Sequence, residues 1–249
     1  MRLLDKAALI TGGARGLGLA MAERFVAEGA CVIIVDRDRV HGEQAATDLS
    51  IRGFSAHFIQ ADLAYPDEIE RAVDAALSIR GHLDILVNNA AVILPKSIEE
   101  ISASEWDWLM SINLRAPFLM VKAALPALKA SHGVILNIGS IAGLQASPNN
   151  VAYGVSKAGV IMMTKNLARD LHSFGIRVNC LCPGAVDTPL LRAFAAAFDG
   201  GDAMLERTRS NDFLTTPQQI ADVALYLVSD EASAITGSII IADAGMILF

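Results

Sequence analysis

The 249-residue sequence is poor in cysteine, holding only Cys31, Cys180 and Cys182. So odd and sparse a set argues against a disulfide framework. Cys180 and Cys182 stand two apart in the strand-like run IRVNCLC and share one strand face. Without a third or fourth ligand nearby they read as buried small hydrophobes, not a metal centre. The five histidines are scattered, with no HxH or HxxxH spacing, so they also give no metal site. Long apolar runs are missing: the longest candidate, APFLMVKAALPAL, is broken by Lys122 and Pro126 and is too short to span a bilayer. The N-terminal MRLLDKAALITGG has Asp5 and Lys6 where a secretory signal needs an unbroken apolar stretch. The expectation is a cytoplasmic protein with no membrane partner. An excess of basic charge is also absent. Twenty Lys and Arg face 27 Asp and Glu, interspersed, for a net charge of −7. That argues against the basic stripe nucleic acid requires.

What is present is apolar: 53% of residues are hydrophobic and the mean hydropathy is +0.43. The length suits one domain spanning 1–249. Short β-like runs alternate with helical patterns: AALIT at 7–11, CVIIVD at 31–36, then runs at 55–62, 83–90, 133–140, 176–183 and 237–243. Continuous apolar strands alternating with amphipathic helices are βαβ units, which imply a parallel sheet covered on both faces. The predicted fold is α/β, a single-domain Rossmann-type doubly wound parallel sheet of about seven strands. The stretch SASEWDWLMSINLRAPFLMVKAALPALKA reads as helix, with Trp106 and Trp108 as packing or subunit-contact residues. The segment 188–211 breaks the rhythm. It reads as an insertion with a Gly-Gly pivot, a lid made apolar by Phe194, Phe198 and Met204.

The first strand ends in TGGARGLG, with Thr11, Gly12, Gly13, Gly16 and Gly18. Such glycines permit a tight turn and close approach of backbone to ligand, and the following helix aims its N–H groups at a phosphate. The spacing is Gly-x3-Gly-x-Gly, not the usual Gly-x-Gly-x-x-Gly. Asp36 ends the second strand, where a carboxylate accepts from a ribose diol and repels a 2′-phosphate, favouring NAD over NADP. Arg15 and Arg37 keep NADP open, since either reaches a 2′-phosphate from there. Asp62, after the third strand, either bonds an adenine amino group or caps the helix that Pro66 opens.

Tyr153 and Lys157 in VAYGVSKAGV share a helix face with Val160, Thr164, Leu167, Leu171 and Phe174. That stripe is core-facing, and lysine is almost never buried without a reason. A cation one turn from a phenol, whose free pKa is about 10, stabilises the phenolate and moves it toward acid/base use at neutral pH.

Together TGGARGLG, ADL at 61–63, NNAA at 88–91, SINL with Asn113, NIGS ending at Ser140, YGVSK at 153–157 and PGAVDTPL at 183–190 resemble the short-chain dehydrogenase/reductase family over essentially the full length. The resemblance implies Tyr153 as acid/base, Lys157 as the residue lowering its pKa and binding a nicotinamide ribose, and Ser140 as the hydroxyl orienting substrate oxygen. It places Asn113 at a water relay to the lysine. It puts Gly12, Arg15, Gly16, Leu17 and Gly18 at the pyrophosphate, and Asp36, Asp62, Leu63, Asn88 and Ala90 along the adenosine. Pro183, Gly184, Val186 and Thr188 then hold the nicotinamide. Ala91, ADAG at 242–245 and DFLTTPQQIA depart from the family pattern and bear on local geometry and subunit packing.

The function expected is NAD-dependent interconversion of a secondary alcohol and a ketone. The alternatives are an NADPH-dependent 3-oxoacyl thioester reductase, which Asp36 opposes and Arg15 favours, and a non-catalytic NAD(P)-binding regulatory protein. The intact Ser140, Tyr153 and Lys157 argue against the last. The substrate pocket is expected around Ser140, Leu144, Asn150, Tyr153 and the 188–211 insertion. Its apolar lid points to a hydrophobic or cyclic alcohol, and Asn149 with Asn150 to a polyol. The family resemblance implies a homotetramer, or a homodimer, packed through the long helices at about 104–130 and 153–174.

Overall fold

A computed structural model describes residues 1–197 and 200–248, so the predicted lid residue Phe198 lies outside the described residues. The seven expected strands form: β1 (Ala7–Thr11), β2 (Cys31–Asp36), β3 (Ala56–Gln60), β4 (Ile85–Asn88), β5 (Val134–Ile138), β6 (Arg177–Pro183) and β7 (Ile239–Ala242). All pair in parallel, in the order β3-β2-β1-β4-β5-β6-β7. The runs that read as continuously apolar are buried: every residue of β1 and β4 is inaccessible, as are five of six in β2. β3 and β7, at the two edges, are only partly covered. The order reverses between β1 and β4. The crevice at a doubly wound sheet's carboxyl edge opens at such a reversal.

Nine α-helices lie among the described residues. α1 (Gly16–Ala27), α2 (Arg39–Ile51) and α9 (Pro217–Val228) cover one face, packing Met21, Phe25, Leu49 and Leu225 on Ile10 and Ile34. α3 (Pro66–Arg80), α5 (Ala116–Ser131) and α6 (Val151–Leu171) cover the other, packing Ile69, Met120, Leu128 and Leu171 on Leu9, Ile33 and Leu86. On α6, Tyr153, Lys157, Val160, Thr164 and Leu171 are buried as the stripe predicts. Phe174 is not: it lies past the helix end, 39% exposed, with Lys129 Nζ 3.6 Å from its ring centre.

Two expectations change. The single helical stretch before β5 is α4 (Ala103–Met110), a π-helical turn over Ser111–Arg115, and α5. Pro117 has no N–H, so the α-helical bond to the carbonyl of Asn113, four residues back, cannot form. The 188–211 insertion is a helical pair, α7 (Pro189–Ala195) and α8 (Gly201–Ser210). The two glycines differ: a β-carbon on Gly201 would stand 1.7 Å from the Ala195 carbonyl oxygen, whereas Gly200 is left-handed (φ +89°) with open space around it. Among the described residues no helix is long and apolar enough to cross a membrane.

Arg177, the first residue of β6, ties the sheet to the end of α9. Its guanidinium donates to Leu227 O (2.9 Å), Ser229 O (2.9 Å) and Ile235 O (3.3 Å), satisfying carbonyls at the helix end where the dipole favours a cation. Arg177→Ala is expected to cost about 2 kcal/mol of stability, the scale of charge-assisted hydrogen bonds left half-made. The measurement is the denaturant midpoint, and an unchanged midpoint would show that water replaces the guanidinium without loss.

Candidate active site

Three loops converge at the carboxyl edge beside the reversal. The first follows β1. Gly12 is left-handed (φ +64°), and a β-carbon there would stand 2.8 Å from Ala90 Cα. On Gly18 a β-carbon would stand 2.1 Å from the Gly12 carbonyl oxygen. Only glycine lets this loop fold back over the start of α1 and touch the loop after β4. α1 starts with no side-chain cap and no acid in its first turn, so its leading N–H groups face outward as an anion site.

Asn89, which sequence reading passed over, staples the two loops. Its amide donates to Thr11 O (2.9 Å) and Gly12 O (3.1 Å), while Thr11 Oγ1 accepts from the backbone of Asn89 (3.0 Å) and Ala90 (3.1 Å). The doubled asparagine of NNAA was the available signal. The Asn88 side chain turns inward: it is buried and donates to Asn137 Oδ1 (2.8 Å), and Asn137 donates to Thr164 Oγ1 (2.9 Å). Alternation along β4 turns its side chain into the sheet, where it straps β4 and β5 to α6.

Next comes the end of β2. Asp36 accepts from the backbone of Ala14 (3.2 Å) and Asp38 (3.0 Å), which aims its carboxylate across the glycine loop. Arg15 lies 3.3 Å from Asp38, which also takes His41 Nδ1 at 2.8 Å. The His41 contact, with Arg15 beside it, holds the Asp38 carboxyl below its usual range. Arg15, Arg37, Asp38, Gln60, Asp62 and Tyr65 line a cleft of about 570 Å³. Of the two readings of Asp62, capping fails: Tyr65 is the N-cap of α3, and Asp62 Oδ1 accepts instead from Ala64 (3.0 Å). Leu63 is buried beside it.

The third loop follows β5 and carries Ser140, whose hydroxyl accepts from Ala142 (3.1 Å). A β-carbon on Gly143 would stand 2.7 Å from the Lys157 carbonyl carbon, so this turn lies directly on α6. Tyr153 is 9% exposed and Lys157 3%. Lys157 Nζ donates to Ile138 O (2.8 Å) and lies 5.7 Å from the Tyr153 ring centre. Among the described residues no carboxylate pairs with it within 4.0 Å, so burial pulls the ammonium down to about 8. Burial also pushes the Tyr153 phenol up to about 12, against an opposing hydrogen bond with Ser140. In the chain alone, then, burial outweighs the lowering expected from Lys157.

Asn113, on the π-helical turn, clamps Val92: its Oδ1 accepts from Val92 N (2.8 Å), and its Nδ2 donates to Val92 O (2.9 Å) and Ser156 Oγ (3.1 Å). π-turns of this kind gather at functional sites. Pro183, Gly184, Val186 and Thr188 form the turn after β6. A β-carbon on Gly16 would stand 3.5 Å from Thr188, so this turn borders the glycine loop. Leu144 is 43% exposed at the rim, whereas Asn150 is buried at the start of α6 and donates to Ser147 Oγ (3.0 Å). Trp106 packs in the cluster around Tyr153, and Trp108 is 38% exposed.

A family model described as enoyl-(acyl carrier protein) reductase matches residues 12–247. Cyclopentanol dehydrogenase of Comamonas sp. (strain NCIMB 9872) is 38% identical over 245 residues, covering 98% of each chain. The crystal structure of levodione reductase superposes with a TM-score of 0.93 at 31% identity, over 98% of each chain. That of a 3-ketoacyl-(acyl-carrier-protein) reductase from Brucella melitensis complexed with NADH gives a TM-score of 0.88 at 36% identity, over 98% of each. The glycine loop and the uncapped N-terminus of α1 fit a nicotinamide dinucleotide.

Burial of Lys157 has a measurable consequence. Its pKa falls from 10.5 unfolded to about 8 folded, so it costs stability below pH 8. That cost is relieved as pH rises from about 8 to 10.5. Lys157→Met is expected to raise the urea midpoint at neutral pH, and the gain should shrink across that window. A gain that does not change with pH would show that the ammonium is not the source.

Proposed function

The chain belongs to the short-chain dehydrogenase/reductase family, and on that premise we propose that it interconverts an apolar, cyclic secondary alcohol and its ketone, with NAD as preferred partner. The observation that carries this reading is the joint placement of Ser140, Tyr153 and Lys157 around one buried phenol, at the sheet edge where α1 presents its open N-terminus. A dinucleotide would be held by Gly12, Gly16 and Gly18 at the pyrophosphate, Asp36 at the ribose, and Pro183 to Thr188 at the nicotinamide. When bound it supplies the hydride chemistry.

The chain's own residues handle the proton. Ser140 and Tyr153 hold the substrate oxygen between two hydroxyls. In oxidation the carbinol proton passes to Tyr153 Oη; in reduction the phenol returns it to the forming alkoxide. Lys157 sets a positive charge one helical turn away, which favours the phenolate. Asn113 fixes Val92 and, through Ser156, the first turn of α6. Cyclopentanol as a relative's substrate, and the partly buried Phe194 and Met204 of the insertion, support a cyclic apolar substrate. The Asp36 carboxylate, and the engagement of Arg15 with Asp38, support NAD. A homotetramer, or a homodimer, is supported by exposed Phe118 on α5 and by Val155 and Met162 on α6. The second reading, reduction of a 3-oxoacyl thioester, is favoured by the likeness to the Brucella melitensis enzyme.

Cyclic alcohols, their ketones and a short 3-oxoacyl thioester, assayed by nicotinamide absorbance, separate the two readings. Turnover confined to the thioester would overturn the first. Tyr153→Phe is expected to lose at least about a hundredfold in both directions while still binding NADH. Because oxidation needs the phenolate and burial raises the phenol, oxidation should climb with pH and reduction should not. NADH should bind at least about tenfold more tightly than NADPH, since a 2′-phosphate would face Asp36. Equal affinities in a fluorescence titration would refute the assignment to NAD.

A further inference from the structure

The mechanism leaves Cys180 and Cys182 unused, yet β6 places both directly beneath it. Both side chains are fully buried, on one strand face, with their sulfurs 3.7 Å apart. The residue before Ser140 is Gly139, and a β-carbon there would stand 2.6 Å from Cys182 Sγ and 2.7 Å from Cys180 Sγ. The backbone that delivers Ser140 therefore lies flat on two sulfur atoms, with no side chain between. The Gly139 N–H donates to the carbonyl of Leu181 (2.8 Å), the residue between the two cysteines, which pins this segment over the sulfurs. On their other side the pair packs on Val160 and Ile161 of α6, the helix that carries Tyr153 and Lys157. No carboxylate pairs with Lys157 among the described residues.

We propose that Cys182, backed by Cys180, is a positioning residue: its sulfur supports the Gly139 backbone from below and so fixes the Ser140 hydroxyl against the Tyr153 phenol. The inference rests on the dehydrogenase reading above. Sulfur suits the task physically. It is large enough to support the chain where glycine leaves a gap, and it is a weak acceptor that needs no strong partner when buried. Alanine at 182 would open space beneath Gly139 and behind Ser140. Small displacements of a catalytic hydroxyl are costly because the reacting geometry is narrow. The groups facing the phenol are Ser140 from the β5 turn and Lys157 on its own helix, while α4 presents Leu109 and Trp106.

The test uses the whole enzyme with Cys182→Ala, Cys182→Ser and Cys180→Ala. Cys182→Ala is expected to lower kcat roughly tenfold, with KM for NADH unchanged, and to move the pH profile of oxidation. Cys182→Ser refills most of that space and should recover most of kcat; Cys180→Ala should fall between wild type and Cys182→Ala. A second readout needs no turnover. The chain has three tyrosines, so the tyrosinate absorbance of wild type minus Tyr153→Phe isolates one phenol. That titration is expected to shift in Cys182→Ala and not in Cys182→Ser. If Tyr153→Phe retains activity, the dehydrogenase reading fails, and the absorbance titration still decides whether Cys182 governs the phenol. An unmoved titration with an unmoved pH profile in Cys182→Ala would overturn the proposal. So would a Cys182→Ser variant as impaired as Cys182→Ala.

Discussion

A buried ammonium without a carboxylate is the constraint on which this structure turns. Lys157 is 3% exposed, and among the described residues its ammonium donates to the main-chain carbonyl of Ile138 and meets no carboxylate. Removing a charge from water costs several kcal/mol even after relaxation, so the surroundings must hold that geometry firmly. They do so by bringing backbone close. Gly143 lets the turn after β5 lie against the Lys157 peptide, and Gly139 lets the same segment lie on Cys180 and Cys182. The chain Asn88–Asn137–Thr164 then fastens β4 and β5 to α6 one turn below Val160. Each device keeps α6 seated so that Tyr153 and Lys157 meet the sheet edge beside Ser140.

Much of the fold was legible because burial on both faces leaves a simple mark. A strand covered by helices on each side is apolar at every position, and CVIIVD is an example. β1, β2 and the Pro66 start of α3 appear where the residues place them. The glycine cluster and the Tyr153–Lys157 spacing were equally plain, since both depend on local geometry that residue type dictates. What stayed hidden depends on partners distant in sequence. Nothing in NNAA says that Asn88 turns inward to Asn137 while Asn89 turns outward to Thr11. The π-helical turn at Asn113 hangs on Pro117 four residues later, which reads as an ordinary first-turn proline. The close approach of Gly201 to Ala195 is likewise a contact that residue type does not announce.

The same distinction governs the chemistry. From sequence, a lysine one turn from a tyrosine should pull the phenol down. In the folded chain both groups are desolvated, and desolvation favours the neutral form of each: the phenol rises to about 12 and the ammonium falls to about 8. At neutral pH the consistent state is a protonated phenol beside a protonated lysine. On the function proposed above, that state is a ready proton donor, suited as it stands to reduction of a ketone. Oxidation would need the phenolate, which the interior disfavours, so it would depend on whatever further positive charge enters the cleft. On that reading one scaffold serves both directions unequally, and the depth at which α6 buries Tyr153 sets the size of that inequality.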